Sequence, residues 1–595
     1  MACCQTPVVS TIAGGTPFGG APVRGFSGDG DPAISAILGL ANVQNPCDPA
    51  RLEQTSHISF DAAGNLYLAD SNNQRIRRIA ADGTISTVAG SGDKPATDSR
   101  CEATGSIGDG GDARAAKLYN PADAVVLPNG NLVIADTLNN RIRQVTPAGI
   151  ISTIAGNGTH NLYAPGIPAT SSPMDWPSAL AVDANGLVLF AELHGNRVGR
   201  IGADGKLATL AGNGFPGTSS ASLTRPAGLG FDSAGNLYIA DSGNHRIQRV
   251  TPAGQVTTVA GNTQKGFAGD GGPADQAKLD TPMDVKADKL GNLYIADTGN
   301  NRIRRVDTKG IITTVAGTGV PERGRDLTDA TQSAFNQPLA LAIDKNNDVY
   351  VVDWQNYLIR QITFDGKPVL TPGGVVSAAS FTEPVAPGSI VALFGVNLGG
   401  TLVVSSDSPW PTKLADVAVE INGNPIPLYV VSPGQLAGQL PYGLLPGKVD
   451  AVAKVGGVAS NTVSVDIAAQ TPGIFGLPGG RAAAQNQDYS LNSAANPEAR
   501  GNAVVLYLTG LGEVSPGVAA GQVSSLDQVA VPPGPFTATI GGVPADILYL
   551  GLTPGTIGLA QANLRLPANA PTGAAVPVII RGGGQASNAA TIAIR

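Results

Sequence analysis

Aromatic residues make up only 5% of the chain, and histidine, cysteine and methionine number four, four and three. Each scarcity closes a class of function. No run of ~20 apolar residues occurs, so no apolar helix spans a membrane. Lys and Arg (38) are outnumbered by Asp and Glu (45), for a net charge of −7, and no basic run is present. That balance excludes the basic face a nucleic-acid partner needs. Gly-x-Ser-x-Gly, His-Glu-x-x-His and Gly-x4-Gly-Lys are all missing, which removes the commonest hydrolase, zinc-protease and phosphate-binding motifs. A Gly-x-Gly-x-x-Gly at Gly212, Gly214 and Gly217 leaves a strand with no dinucleotide fold around it and is a coincidence of composition. The histidines (His57, His160, His194, His245) are scattered, and the cysteines (Cys3, Cys4, Cys47, Cys101) show no Cys-x-x-Cys spacing.

What the chain has is glycine (78), proline (44) and a repeat. The stretch ADKLGNLYIADTGNNRIRRVDTKGIITTVAG (287–317) reads as three short strands joined by tight turns. Related copies occur at 60–90, 126–156, 182–212, 231–261 and 343–373. The acid ending the second strand falls at Asp70, Asp136, Glu192, Asp241, Asp297 and Asp353, at spacings of 66, 56, 49, 56 and 56 residues. A further apolar strand precedes each unit, giving four strands per unit and six units. Repetition at this period predicts a propeller, since one such meander cannot bury both of its faces.

The Gly-Asn-hydrophobic-Tyr-hydrophobic-Ala-Asp strand followed by Asn-x-Arg-Ile resembles the NHL-repeat family, in register six times over residues 8–373. The resemblance implies an all-β, six-bladed propeller over 1–373. VVSTIAG (8–14) copies a fourth strand, and is expected to close the ring beside 350–363, displacing 366–372 into a linker.

Asp-x-x-Asn-x-Arg turns pair Asp70 with Arg75, Asp136 with Arg141, Glu192 with Arg197, Asp241 with Arg246 and Asp297 with Arg302; blade 6 breaks the pattern with Leu358. A feature repeated in every blade serves the blade. The loops between blades carry Gly-Asp-Gly at Asp29, Asp109 and Asp270, then a short capped helix. They lack the alternating acids and closing Glu of a calcium loop, so turn chemistry is the expected role.

Past residue 373 the repeat stops, basic residues thin out, and His, Cys and Met vanish. An internal duplication remains. INGNPIPLYVVSPGQLAGQLP (421–441) matches IGGVPADILYLGLTPGTIGLAQANLRLP (540–567), and SNTVSVDI (460–467) matches SNAATIAI (587–594). Two copies of short alternating strands predict two immunoglobulin-like β-sandwiches, 374–478 and 479–595. PGSIVALFGVNLG is similar to the opening of an IPT/TIG domain, and the whole unit resembles a carboxy-terminal module of secreted acidobacterial proteins.

The enzyme alternative lies in the central channel, where propellers similar to gluconolactonase, regucalcin and paraoxonase hold a divalent cation, and where lyase-type NHL propellers hold zinc. Aligning the copies puts His57, Asp123, Ala179, Gly228, Asp284 and Ala340 at one level, with Asp123 and Asp284 on opposite sides of the axis. So sparse a ring predicts neither cofactor nor metal; Ca²⁺ there is the alternative. The expectation is therefore an exported or cell-surface binding or scaffold protein, with a metal-dependent channel enzyme of the lactonase, hydrolase or lyase kind as the alternative. The loop-rich propeller face would contact a protein or glycan, and the C-terminal domains would space, attach or self-assemble the chain. A Cys47–Cys101 disulfide fits that compartment. MACCQTPVVSTIAGG holds no signal peptide, so the leader is expected to be absent from this chain.

Overall fold

The computed structural model describes residues 6–14, 25–40, 43–45, 48–53, 56–98 and 102–595, with backbone alone over 43–45 and 48–53. All four cysteines, and with them the Cys47–Cys101 pairing, lie outside the described residues. One compact unit is Pro7–Asp365; the other is Gly366–Arg595 with Thr6. The described helices are three-residue 3₁₀ turns, and no helix among them is long and apolar enough to cross a membrane.

The first unit is a series of four-stranded antiparallel meanders, the blades. Blade 1 runs from Ile58 to Ala89, blade 2 from Pro121 to Ala155, blade 3 from Pro177 to Ala211, blade 4 from Pro226 to Ala260 and blade 5 from Asp284 to Ala316. Innermost strands contact their neighbours in order, and that of blade 6 (Pro338–Ile343) contacts that of blade 1. Alternation does the local work. In Leu293–Asp297 every side chain is buried, because neighbouring blades cover both faces; in Ile312–Ala316 burial becomes intermittent as the strand nears solvent.

Blade 6 takes three strands from its own stretch and one from the chain's start. Val8–Ala13 pairs antiparallel with Leu358–Thr363, with Val9 opposite Ile362, and both side chains fully buried. Gly14 ends that strand as Gly90 and Gly317 end theirs. All three have positive φ, and a β-carbon on any of them would collide with the carbonyl of the left-handed residue in the adjoining turn. Only glycine fits there.

The segment 366–372 is not a linker. Val369–Ser377 is a nine-residue strand paired with Ile390–Val396, so the second unit begins at Gly366, ahead of the expected 374. Its first half, up to Ile467, forms two sheets around Leu370, Leu393, Val419 and Leu436. Its second half differs from a pair of separate sheets. Eleven strands between Gly473 and Ile594 form one continuous sheet curled around Leu506, Ile540, Leu564 and Ile580, close to a barrel. The ten-residue strand Val543–Leu552 makes the continuity. It pairs with Phe536–Ile540 along its first half and with Ala560–Arg565 along the rest, with a register shift between Ile547 and Tyr549.

Candidate functional site

Every blade places an acid at the end of its second strand, and that acid ties the turn to the preceding inter-blade loop. Asp136 accepts from Tyr119 N at 2.8 Å and from Asn139 Nδ2 at 2.8 Å. Asp241 does the same with Thr224 N and Asn244, and Asp353 with Asn336 N and Asn356. The arginine partner departs from the expected one in most blades. Asp70 and Arg75 face each other across the ladder, as do Asp136 and Arg141, and Asp297 and Arg302. The ion pairs nevertheless go two residues further on: Asp70–Arg77 (3.3 Å), Asp136–Arg143 (2.9 Å), Asp297–Arg304 (3.2 Å) and Asp353–Arg360 (3.6 Å).

Both arginines, two residues apart, lie on the acid's side of the sheet; the later one is fully buried beside it whereas the earlier one is only partly buried. Arg75, Arg141 and Arg302 instead donate to carbonyls of the turn and loop, such as Ser91 O, Asn157 O and Thr318 O. In blades 3 and 4 the later position is Gly199 or Gln248, and there Glu192 does pair with Arg197, and Asp241 with Arg246 at 2.7 Å. Asp29, Asp109 and Asp270 of the Gly-Asp-Gly loops hold the other side of Arg77, Arg143 and Arg304, at 2.7–2.8 Å. Their carboxylates are committed to arginine. The short helices after them are single 3₁₀ turns, begun by Pro32, Asp112 and Pro273.

On the same side, a residue in left-handed conformation closes each turn, and in blades 1, 3, 4 and 5 it bonds to the next blade. Gln74 Oε1 accepts from Asn120 N at 2.6 Å, Asn196 Oδ1 from Arg225 N at 3.0 Å, His245 Nδ1 from Thr281 N at 3.0 Å, and Asn301 Oδ1 from Gln337 N at 2.9 Å. His245 must be neutral at Nδ1 to accept, and burial lowers its pKa accordingly. Asn120, Trp176, Arg225, Thr281 and Gln337 all share positive φ just before the innermost strand. Trp176 carries the aromatic centre of this face: His160 stacks on it at 4.7 Å, and His194 meets it edge-on at 4.5 Å. His160 also reaches Asp175 at 2.5 Å.

In the channel the structure brings His57 and Asp284 together, Nδ1 to Oδ2 at 3.7 Å, and adds Lys286, whose Nζ lies 2.7 Å from Asp284 Oδ1 and 2.6 Å from Leu229 O. Both channel acids also bolt adjacent blades: Asp123 Oδ2 accepts from Leu180 N at 2.7 Å, and Asp284 Oδ2 from Leu341 N at 2.9 Å. Their other oxygens take the N–H of Ala124 and Val285. Burial pushes the Asp123 carboxyl up against the pull of His57. Burial acts on Asp284 too, but Lys286 and His57 outweigh it and hold that carboxyl below its ordinary value. Ala179 and Ala340 are buried on the same level, and Gly228 leaves room for Asp284, since a β-carbon there would strike its Oδ1. Among the described residues no three His, Cys, Asp or Glu side chains form a metal-binding group. Lys286 escaped the sequence reading, although the repeat alignment signals it: equivalent positions hold Ser59, Val125, Ala181, Gly230 and Ala342.

The teneurin NHL domain profile matches residues 40–146, 95–268 and 263–328. The first ~330 residues are an NHL-repeat region. Teneurin-m of Drosophila melanogaster is 28% identical to this chain over 326 residues, 50% of this chain and 10% of its own length. NHL repeat-containing protein 2 of Gallus gallus is 42% identical over 96 residues, 16% of this chain and 13% of its own. The chain thus spans about a tenth of the length of the teneurins it matches. Among solved structures, a protein of unknown function from Bacteroides thetaiotaomicron aligns with TM-score 0.41 at 18% identity, over 60% of this chain and 76% of its own. Virginiamycin B lyase from Staphylococcus aureus aligns with TM-score 0.33 at 18% identity, over 54% and 97%. At such scores neither likeness bears on activity. The NHL region ends before the second unit, which these matches leave without a family.

Proposed function

We propose that the NHL region is a binding module that meets a protein or glycan partner with its inter-blade loops. The second unit then spaces, attaches or self-assembles it as a pair of immunoglobulin-like domains of the IPT/TIG kind. The observation carrying this reading is the apolar surface of the loops. Phe215 is 70% exposed, and Phe26, Leu162, Phe267 and Val320 project from the loops of other blades. Exposed aromatic side chains on an ordered scaffold mark contact surfaces more than they mark catalysis. Phe26 and Phe267 are also held in place, their rings 3.9 Å from the guanidinium carbons of Arg75 and Arg302. The same reading places the protein outside the cell or on its surface, with Cys47 and Cys101 joined.

The alternative, a metal-dependent channel enzyme of the lactonase, hydrolase or lyase kind, draws on the convergence of His57, Asp123, Asp284 and Lys286. Against it, every carboxylate oxygen of Asp123 and Asp284 already accepts a backbone N–H or the Lys286 ammonium. The test is binding of the labelled full chain to intact cells of its source organism and to arrayed glycans. Phe215→Asp should reduce binding roughly tenfold or more, as loss of a central anchor does. Unchanged binding would sink the loop-face reading. Elemental analysis addresses the alternative: one Ca²⁺ or Zn²⁺ per chain that Asp284→Asn removes would replace the binding reading with the enzyme.

A further inference from the structure

In five blades the outermost strand is hydrogen-bonded along its outer side by the loop that precedes the blade. In blade 5, Gly271 N donates to Ile312 O, Ile312 N to Gly272 O, and Ala274 N to Gly310 O. Blade 2 repeats this with Gly110, Ile151, Gly111, Ala113 and Gly149, and blades 1, 3 and 6 follow the same pattern. The chain thereby covers its own sheet edges, which would otherwise pair with other chains. Blade 4 has no such bond among the described residues. Its loop, 212–225, is seven residues shorter than 156–176 and stops short of the edge.

Three observations describe what blade 4 leaves open. Val256 pairs with Val250 in the register in which Ile312 pairs with Val306, so its N–H and C=O point outward as those of Ile312 do. Ile312 is fully buried whereas Val256 is partly exposed and Thr258 exposed. Beside them sits Gln248, 1% exposed, whose Nε2 has no hydrogen-bond partner and whose Oε1 takes the Thr258 hydroxyl at 3.3 Å. In blade 5 the same two places are Arg304 and Thr314, and the loop's Asp270 binds both at 2.7 Å. Blade 2 does likewise with Arg143, Thr153 and Asp109. Blade 4 has the donors and lacks the carboxylate.

We propose that the outer edge of blade 4, Gly254–Thr258, accepts an extended segment of a partner protein, of small-acidic-small sequence like Gly-Asp-Gly. The segment adds a strand by main-chain bonds to Val256 and Gly254 O, and its acid takes the place Asp270 holds in blade 5, against Gln248 and Thr258. The occupant's chemistry is read from the loops that fill the equivalent edge elsewhere in this chain. The proposal is independent of the loop-face reading, because it concerns the rim of one blade.

The test uses the full chain and a fluorescent peptide of its own residues 266–278, GFAGDGGPADQAK, followed by anisotropy. Saturable binding below ~1 mM is expected, since a short strand addition gives modest affinity. Val256→Pro removes an outward N–H without touching the inner ladder, and should weaken binding roughly tenfold or more. Gln248→Arg should strengthen binding several-fold for this peptide and leave unchanged a peptide with Ala in place of its acid. Absence of binding, equal affinity in Val256→Pro, or no gain from Gln248→Arg would overturn the proposal. So would a concentration-dependent dimer of the chain that Val256→Pro abolishes, which would make the occupant a second copy.

Discussion

Asp353 and Arg360 lie 3.6 Å apart with neither side chain exposed to solvent. Blade 6, which looks irregular because Leu358 stands where other blades have arginine, thus keeps the same buried pair. Arg360 is held further by Asp326 at 3.0 Å and by the carbonyl of Ala334 at 2.8 Å. The clamp sits two residues further along the strand than the motif suggests.

The two arginines of a blade should therefore differ sharply in cost. Arg304→Ala strands Asp297 in the interior, and is expected to cost about 3–5 kcal/mol. Arg302→Ala gives up partly exposed bonds to carbonyls and a ring contact, about 1 kcal/mol. Urea unfolding of the two variants checks the order; an equal or reversed cost would contradict the assignment.

Removal of residues 1–14 should expose the edge of Leu358–Thr363 and uncover Leu38 and Ile359, which are fully buried. Several kcal/mol and a clear drop in melting temperature are expected. A melting temperature equal to that of the intact chain would refute closure by this strand.

Acid should help the propeller before it harms it. Burial raises the Glu192 pKa from 4.5 to about 7, against the pull of Arg197, and Asp297 and Asp353 rise to about 6 for the same reason. A raised folded-state pKa means the folded protein binds the proton more tightly. Stability from these groups is fully present below the unfolded values and lost as pH rises through about 6 to 7. Calorimetry should find the melting temperature falling between about pH 5 and pH 8, and Glu192→Gln should flatten that slope. A rise over the same interval in the parent chain would show the opposite sign.

The duplication in the second unit predicts paired effects. Asn461 brackets Leu370, accepting from its N–H at 2.8 Å and donating to its C=O at 3.0 Å; Asn588 brackets Ile474 at the same two distances. Ser460 and Ser587, one residue earlier in each copy, both accept from the neighbouring strand, at Ala453 N and Ile580 N. Asn461→Ala and Asn588→Ala should each cost about 1–3 kcal/mol, the penalty of a buried strand group left unpaired. A large effect from one and none from the other would mean the copies no longer share a structural role.

The blades were legible because their signals are local: alternation, turn residues and an acid at fixed spacing. The 49-residue interval between Glu192 and Asp241 even signals the short loop that leaves the edge of blade 4 bare. Which arginine pairs with which acid was not legible, because both arginines face the same side of the strand and the choice depends on which of them the tertiary packing buries. Lys286 was overlooked for a related reason: its ammonium matters only because Gly228 and Gly230 let blade 4 approach blade 5 closely. The single curled sheet of 473–594 depends on one strand pairing with two different partners, and no local pattern encodes that.

The central claim is that the loop face carries the function and that the channel groups hold blades together. The most direct test compares Phe215→Asp with Asp123→Asn in one assay, binding of the folded, full-length chain to intact cells of the source organism. Phe215→Asp is expected to lose roughly tenfold or more in binding while Asp123→Asn binds like the parent and is only less stable. The opposite pattern, with binding intact in Phe215→Asp and lost in a folded Asp123→Asn, would contradict that claim.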